Sequence, residues 1–472
     1  MEKPQSRPTV QNRMLFGIGV FVFLFVACMV WGRIESAPDA TPGKTKDDVF
    51  YDNIAFNIVS GNGYSYDFSI EEWRKPYVET NFDEINAWAL NTEIQAGSTT
   101  SRAPGFVYLL AAIYKTVGRD WAVVRLVNAF ILAVGLSILI CCVRKHFGNL
   151  VALISMATTA LDFGVLSTCG QIMTEALGTT MLVVTFTVLI DVWNKMVCAE
   201  HSRAIPLSRW AIIGILFGLT MLVRSNLIAW LMLLFGLVGL LIVISYTRKK
   251  LNEKANDENA NLRKLLQSAV VFFFCAILVC LPWWVRNCIV SRHFSPFGSA
   301  GDIGWVGGYS DEAFENNGNW YLPNVVNLQK EWMAEYGAAQ ADTSLAEKEY
   351  MMGQRSKEVG LKWIKNNLNK MPELMIKKGL NHFALIDQPQ PWIPFVNLLL
   401  MIGVFTGIVL SWKRFGFWIA LILFMSAVST MLLWSHHGRY SIPIRPLWHV
   451  TSAIGVVCFW SRVFRFVNQR RQ

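Results

Sequence analysis

A chain of 472 residues that is 53% hydrophobic, only 16% charged and of mean hydropathy +0.35 is built for a bilayer, and this composition excludes an ordinary soluble globular protein. A net charge of +10 would suit nucleic acid in a soluble protein; here Lys and Arg gather beside apolar runs, as topology signals and anionic-lipid contacts do, so membrane lipids and not nucleic acid are the expected partners. The nine cysteines include Cys28, Cys141, Cys142, Cys275, Cys280 and Cys458 inside apolar runs, where they pack as small hydrophobes, and no Cys/His spacing reads as a zinc site.

A bilayer core takes about 20 apolar residues per helix. Such runs occur at 14–32, 122–143, 149–168, 174–193, 210–223, 225–247, 266–285, 392–411, 415–434 and 446–463. The expectation is therefore an all-α polytopic membrane protein with about ten spans. Its organisation reads as an N-terminal membrane module (1–285) that includes a first outer loop (33–121), a loop domain (286–391), and C-terminal membrane helices (392–472). The first run is long and lacks a small-residue cleavage site close behind it, so it reads as an uncleaved anchor rather than a signal peptide.

Segment 104–117, "PGFVYLLAAIYKTV", is apolar but too short to span comfortably. If it lies in the interface, the clusters Lys3/Arg7/Arg13, Arg144/Lys145, Arg248/Lys249/Lys250/Lys254, Lys413/Arg414 and Arg462/Arg465/Arg470/Arg471 all fall on the cytoplasmic side, with both termini. If it spanned, every later loop would invert. The interfacial reading puts loops 33–121 and 286–391 together on the extracytoplasmic face. The second of these contains "GSAGDIGWVGGYS" and then a helical pattern over 344–380, which Pro372 should end or kink. There is no internal repeat and no Gly-rich phosphate loop.

On this topology four polar sets converge at the outer surface: Asp47/Asp48, about fifteen residues past the first run; Arg102, ahead of Pro104; Glu175 in "CGQIMTEAL"; and the helix-end cations Arg224, Arg286 and Arg439. Singly, each reads as a snorkelling or helix-end charge. Together they have a chemistry. Carboxylates take a proton from a hydroxyl and arginines hold a phosphate in a planar fork, so the set suits transfer of a group from a lipid phosphate to an alcohol, without need of a metal. Asp162, near the outward end of a span, reads as a packing or helix-end charge. His436 and His437 are adjacent, so they do not face the same way and read as interfacial residues rather than metal ligands. Asp302 and Trp305 are of types that hydrogen-bond to and stack on sugars, and a plain structural loop explains them equally well.

The run "DDVFYDNIAFNIVSGNGYSY" resembles the Asp-acidic-x-x-Tyr, Ala, Gly-x-Gly-Tyr signature in the first outer loop of the polyprenyl-phosphate-sugar-dependent glycosyltransferases of the C-type (GT-C) fold, relatives of protein O-mannosyltransferases and the aminoarabinose transferase of lipid A. Further stretches are similar to that family in order: "SRAPGFVYLLAAIYKTVGRDWAVVRLVNAF", "MTEAL", "LPWWVRNCIVSRHFSPFGSAGDIGWVGGY" and "GRYSIPIRPLWHV". The resemblance implies an inverting glycosyltransferase with a lipid-phosphate sugar as donor and no further cofactor. It implies Asp47 as the catalytic carboxylate, with Asp48 or Glu175 assisting and the choice between Asp47 and Asp48 open. It also implies Arg102 on the lipid phosphate, with Arg286, Arg439 and Tyr440 around phosphate or sugar. Arg224 stands in "LVRSN" where many relatives have Arg-Pro.

Two other readings share the many helices. A secondary transporter or lipid flippase places its polar residues near the midplane, often in repeated halves. A lipid-glycan ligase or polymerase shares an arginine-rich outer face, and the acceptor could equally be a lipid, a glycan or a protein hydroxyl.

Overall fold

Backbone crossing a bilayer must satisfy its own hydrogen bonds, and one chain can do so as helices; helices account for nearly every described element. The computed structural model describes residues 10–35, 46–79, 96–198, 206–251, 256–336, 343–388, 390–432 and 438–470. The 36–45 link, His436, His437 and the cations Lys3, Arg7, Lys254 and Arg471 lie outside the described residues.

The first apolar run forms α1 (Val10–Glu35), and α2 (Lys46–Val59) follows with Asp47 and Asp48 in its first turn, where the helix dipole favours carboxylates. Next come β1 (Ser65–Tyr66), α3 (Glu71–Glu79), β2 (Gly97–Ser98) and α4 (Pro104–Val117). The two short strands pair antiparallel, Ser65 opposite Ser98 and Tyr66 opposite Gly97. Asp120 caps α5 (Trp121–Phe147) by accepting from the backbone N–H groups of Ala122 and Val123. A break at Asp162 separates α6 (Asn149–Ala160) from α7 (Phe163–Leu166), bending this apolar stretch by 67°. The module ends with α8 (Glu175–Cys198), α9 (Leu207–Val223), α10 (Ile228–Leu251) and α11 (Asn256–Ser291).

Three single turns, α12 (Ala300–Ile303), α13 (Trp305–Gly308) and α14 (Asp311–Glu315), occupy the Gly-rich stretch and its sequel. They lead to α15 (Leu322–Tyr336), α16 (Leu345–Asn366) and α17 (Met371–His382). The pattern over 344–380 breaks after Asn366, and Pro372 sits in the first turn of α17, where its missing N–H costs nothing. The chain closes with α18 (Trp392–Leu410), α19 (Phe417–Leu432) and α20 (Arg445–Arg470).

Among the described residues seven helices are long and apolar enough to cross a membrane, or eight with the bent pair counted as one span. The runs at 210–223 and 415–434 form the shorter apolar helices α9 and α19, of 17 and 16 residues. Two cores result. One fills the bundle around Leu24, Leu132, Leu136 and Trp448. The other is aromatic and binds the 46–79 segment to α4 and the start of α5 through Phe50, Phe68, Trp73, Tyr77 and Trp121.

The second core is organised by a buried carboxylate. Asp52 accepts from Trp73 Nε1 at 2.6 Å, Tyr77 Oη at 2.8 Å, Tyr114 Oη at 2.5 Å, Trp121 Nε1 at 3.1 Å and Arg119 Nε at 3.0 Å. Burial works against its charge, but Arg119 and the tyrosine donors outweigh burial and hold the carboxyl below its ordinary value. The hub ties α2 to α3, α4 and the 118–121 link, and so fixes the first turn of α2.

Candidate active site

Helix periodicity sorts the acids of α2. Residues four apart share a face, so Asp48 and Asp52 point the same way and both are fully buried. Asp47 and Tyr51 share another face, on which the Asp47 side chain is 35% exposed. Of the predicted pair, the structure presents Asp47 at the surface and packs Asp48 inside.

Four cations and acids predicted from sequence meet Asp47 or its neighbours. Arg102 Nη2 donates to Asp47 Oδ1 at 2.9 Å, and Arg439 Nη1 donates to Asp47 Oδ2 at 3.2 Å. The same Arg439 donates through Nε to Glu175 Oε1 at 2.6 Å, and Arg224 Nη1 lies 3.5 Å from that oxygen. Glu175, the first residue of α8, is 1% exposed. Five charged side chains from sequence positions 47 to 439 thus form one continuous ion-paired cluster with an open face at Asp47.

Local sequence explains how each charge gets there. Gly105 in the Pro-Gly pair lets α4 meet the end of α9: a Cβ at that position would stand 2.7 Å from Val223. Gly178, one turn into α8, leaves the space that Arg224 crosses, since a Cβ there would lie 2.5 Å from its Cδ. Arg125 and Asn128 on α5 donate to the carbonyls of Gly170 and Gln171, which fixes the approach to Glu175. Arg102 packs over the rings of Phe50 and Tyr51 at 4.8 and 5.7 Å. Burial works against Arg102's charge, and Asp47 beside it reverses the balance, so the guanidinium stays protonated. Burial pushes the Tyr51 phenol up to about 12, so under the cluster it remains a neutral hydroxyl.

Arg286 does not join the cluster. Its guanidinium donates to the carbonyls of Thr99 at 2.5 Å and Tyr64 at 3.1 Å and packs over Trp283 at 4.8 Å. It holds the segment leading to Arg102. Glu349 on α16 grips the same segment from the far side of the sequence, accepting from Thr99 Oγ1 at 2.6 Å and the Thr100 N–H at 2.9 Å. Burial raises the Glu349 carboxyl above its ordinary value despite these bonds. Sequence reasoning missed both Asp52 and Glu349. The four-residue spacing of Asp48 and Asp52 signals the first, whereas the second has partners about 250 positions away and no local signal.

Tyr440 and Arg224 border a small polar pocket of about 10 Å³, room for a single water, with Ser426, Ser429 and Thr430. Asp162 is engaged elsewhere: it accepts from Arg445 Nε and pairs with His449 Nε2, both at 2.8 Å, and caps α7. Trp305 stacks on Tyr309 with ring centroids 5.3 Å apart, and Asp302 lies half-buried on α12.

No protein-family model and no curated protein matches the chain. Among solved structures it is similar to the archaeal oligosaccharyltransferase AglB from Archaeoglobus fulgidus, in complex with an inhibitory peptide and a dolichol-phosphate, with a TM-score of 0.51 at 15% identity over 97% of this chain and 52% of that one. The same oligosaccharyltransferase tethered to an acceptor peptide containing the NVT sequon gives a TM-score of 0.51 at 13% identity, over 95% and 50% of the two chains. The fold is that of the GT-C membrane glycosyltransferases. ArnT from Cupriavidus metallidurans bound to undecaprenyl phosphate aligns more loosely, with a TM-score of 0.38 at 10% identity over 96% of this chain and 78% of that one. The chain spans about half the length of the oligosaccharyltransferases it matches. At such identities the likeness concerns architecture, and the chemistry rests on the cluster itself.

Proposed function

We propose that the protein is an inverting glycosyltransferase that moves a hexose or pentose from a polyprenyl-phosphate donor to an acceptor hydroxyl at the extracytoplasmic membrane surface, with both termini cytoplasmic. The observation that carries this reading is the meeting of Asp47, Arg102, Arg439, Glu175 and Arg224 in one cluster whose most accessible side chains are Asp47 and Arg439, at 35% and 29% exposure. The dolichol-phosphate and acceptor peptide named for the oligosaccharyltransferase of this fold support a lipid-phosphate donor and a separate acceptor.

In this reading the donor phosphate enters through the open face and takes Arg102 and Arg439 as its guanidinium forks. That releases Asp47, which takes the proton of the acceptor hydroxyl while the hydroxyl oxygen bonds to the anomeric carbon from the side opposite the phosphate. The bond from the anomeric carbon to phosphate oxygen breaks, and the departing phosphate carries off the electron pair under the same guanidinium groups. Glu175 and Arg224 hold Arg439 in place. Arg286 and Glu349 act as positioning residues through Arg102. No step calls on a metal, because the positive charge at Asp47 is supplied by two arginines.

A transporter reading gains less support. Glu175 opens α8, Arg224 directly follows α9 and Arg439 opens the turn before α20, so the charged residues gather at helix ends rather than at a midplane. The test is sugar release from a panel of radiolabelled polyprenyl-phosphate sugars by the purified protein in detergent, with a natural lipid extract as acceptor source. Turnover of one donor, lost in Asp47→Asn, is expected. A folded wild-type protein that turns over none of them would overturn the proposal in favour of transport.

A further inference from the structure

A larger cavity lies at the other end of the bundle. Its floor is α8 and its walls are α5 and α9, which pack on α8 from two sides and leave about 480 Å³ between them. Such a volume is in the range of small-molecule sites, about 300–1,000 Å³. Asp191 on the floor is sixteen residues beyond Glu175 on the same helix, which at 1.5 Å per residue is about 24 Å. This is close to the thickness of a bilayer core, about 30 Å. The cavity therefore sits at the membrane surface opposite the Asp47 cluster.

Its lining has two chemistries. Lys145 from the last turn of α5 and Arg209 from the first turn of α9 bring positive charge from opposite walls. Among the described lining residues the one acid, Asp191, accepts from Lys145 and pairs with His146 Nε2 at 3.1 Å. Two permanent cations against one shared carboxylate give the described lining a positive balance. Deeper in, Cys141, Val188 and Ile212 make the wall apolar, and Ile212 is half exposed on the outside of the bundle, where lipid tails run.

We propose that this cavity binds one anionic glycerophospholipid of the leaflet opposite the active site, its phosphate between Lys145 and Arg209 and one acyl chain along Val188 and Ile212. A phosphate at this depth meets the cations without leaving the headgroup layer, and an acyl chain replaces bulk lipid against an already apolar wall. The positive balance selects an anionic headgroup over a zwitterionic one. The inference rests on the membrane fold alone and is independent of the reaction at Asp47.

The test uses the full chain, delipidated in detergent, with phosphatidylglycerol, phosphatidylethanolamine or phosphatidylcholine added and the bound lipid read by native mass spectrometry. The expected result is a phosphatidylglycerol adduct at least about fivefold more populated than either zwitterionic lipid. That excess falls to parity in Arg209→Gln, a variant that leaves the Lys145–Asp191 pair intact. Ile212→Trp, which fills the apolar wall without altering charge, lowers occupancy of all three lipids. Equal binding of the three lipids by the wild type, or an unchanged phosphatidylglycerol excess in Arg209→Gln, overturns the proposal. So does displacement of phosphatidylglycerol by an equimolar polyprenyl phosphate, which would make the site one for the carrier lipid.

Discussion

Replacing Glu175 with Gln removes one charge where three helix ends meet, and the structure gives the consequence. Arg439 keeps a partner, since Asp47 remains 3.2 Å away. Arg224 does not: among the described residues its one ion pair is with Glu175, and it is only 7% exposed. Leaving a buried charge uncompensated costs about 3–5 kcal/mol. The amide oxygen of Gln can still accept from Arg439, which puts the expected loss at the lower end, about 3 kcal/mol. Adding Arg224→Met removes the orphaned guanidinium, so the double variant should recover about half of that loss and fall short of the summed single losses by at least about 1.5 kcal/mol, plus whatever Arg224→Met costs alone. Denaturant unfolding in detergent, followed by tryptophan fluorescence, measures each corner of the cycle. If the two substitutions add to within about 0.5 kcal/mol, the cluster does not act as a unit and the reasoning fails.

Three further outcomes follow from the same geometry. Asp47→Asn should lower kcat by about 10²–10⁴, with the loss of turnover ahead of the loss of stability that comes from removing the carboxylate partner of Arg102; Asp48→Asn, at a fully buried position, should show the reverse pattern, loss of stability ahead of loss of turnover. Asp52→Asn should destabilise the protein by about 3–5 kcal/mol by stranding Arg119, and thermal unfolding in detergent with the double variant Asp52→Asn/Arg119→Met would show partial rescue. Burial pushes Lys378 down to about 7 from an ordinary value of 10.5, so between those pH values the unfolded chain holds a proton that the folded chain has lost. Stability should therefore rise with pH across that window, and Lys378→Met should flatten the rise and raise the melting temperature at pH 6.

Much of this arrangement is legible in the sequence where a local rule governs it. Pro104 starts α4 and Gly118 ends it, so the predicted 104–117 segment and the observed helix coincide. Pro372 likewise sets the break between α16 and α17. The helix-end charges were also readable, because few reasons exist for Arg102, Glu175, Arg224 and Arg439 to flank apolar runs. What stayed hidden depends on distant parts of the chain. Arg286 looks like a site cation by its place after a span, yet the backbone carbonyls of Thr99 and Tyr64 occupy its donors. Span counting by composition meets its limit at Asp162, where a polar residue caps a new turn and a single apolar run becomes two helices at 67°.

The charge count of the cluster bears on the kind of donor it fits. Among the described residues three guanidinium groups pair with two carboxylates, Asp47 and Glu175, so that ion-paired set carries one net positive charge. A sugar on a lipid monophosphate is a phosphodiester with a single negative charge, and its arrival brings the set to neutrality. The proposed reaction then moves one proton from the acceptor to Asp47 and leaves one more negative charge on the departing phosphate. The sum is unchanged, so no charge crosses the low-dielectric boundary at the moment of transfer, and fixed dipoles need not reorganise. A donor on a diphosphate would bring at least one charge more and leave the cluster negative against a face with no further described arginine in its ion-pair network. The same count explains the resting state. With no donor present, Arg102 and Arg439 pair with Asp47 and Glu175 among the described residues, and on the proposed mechanism Asp47 stays occupied until a phosphate displaces it.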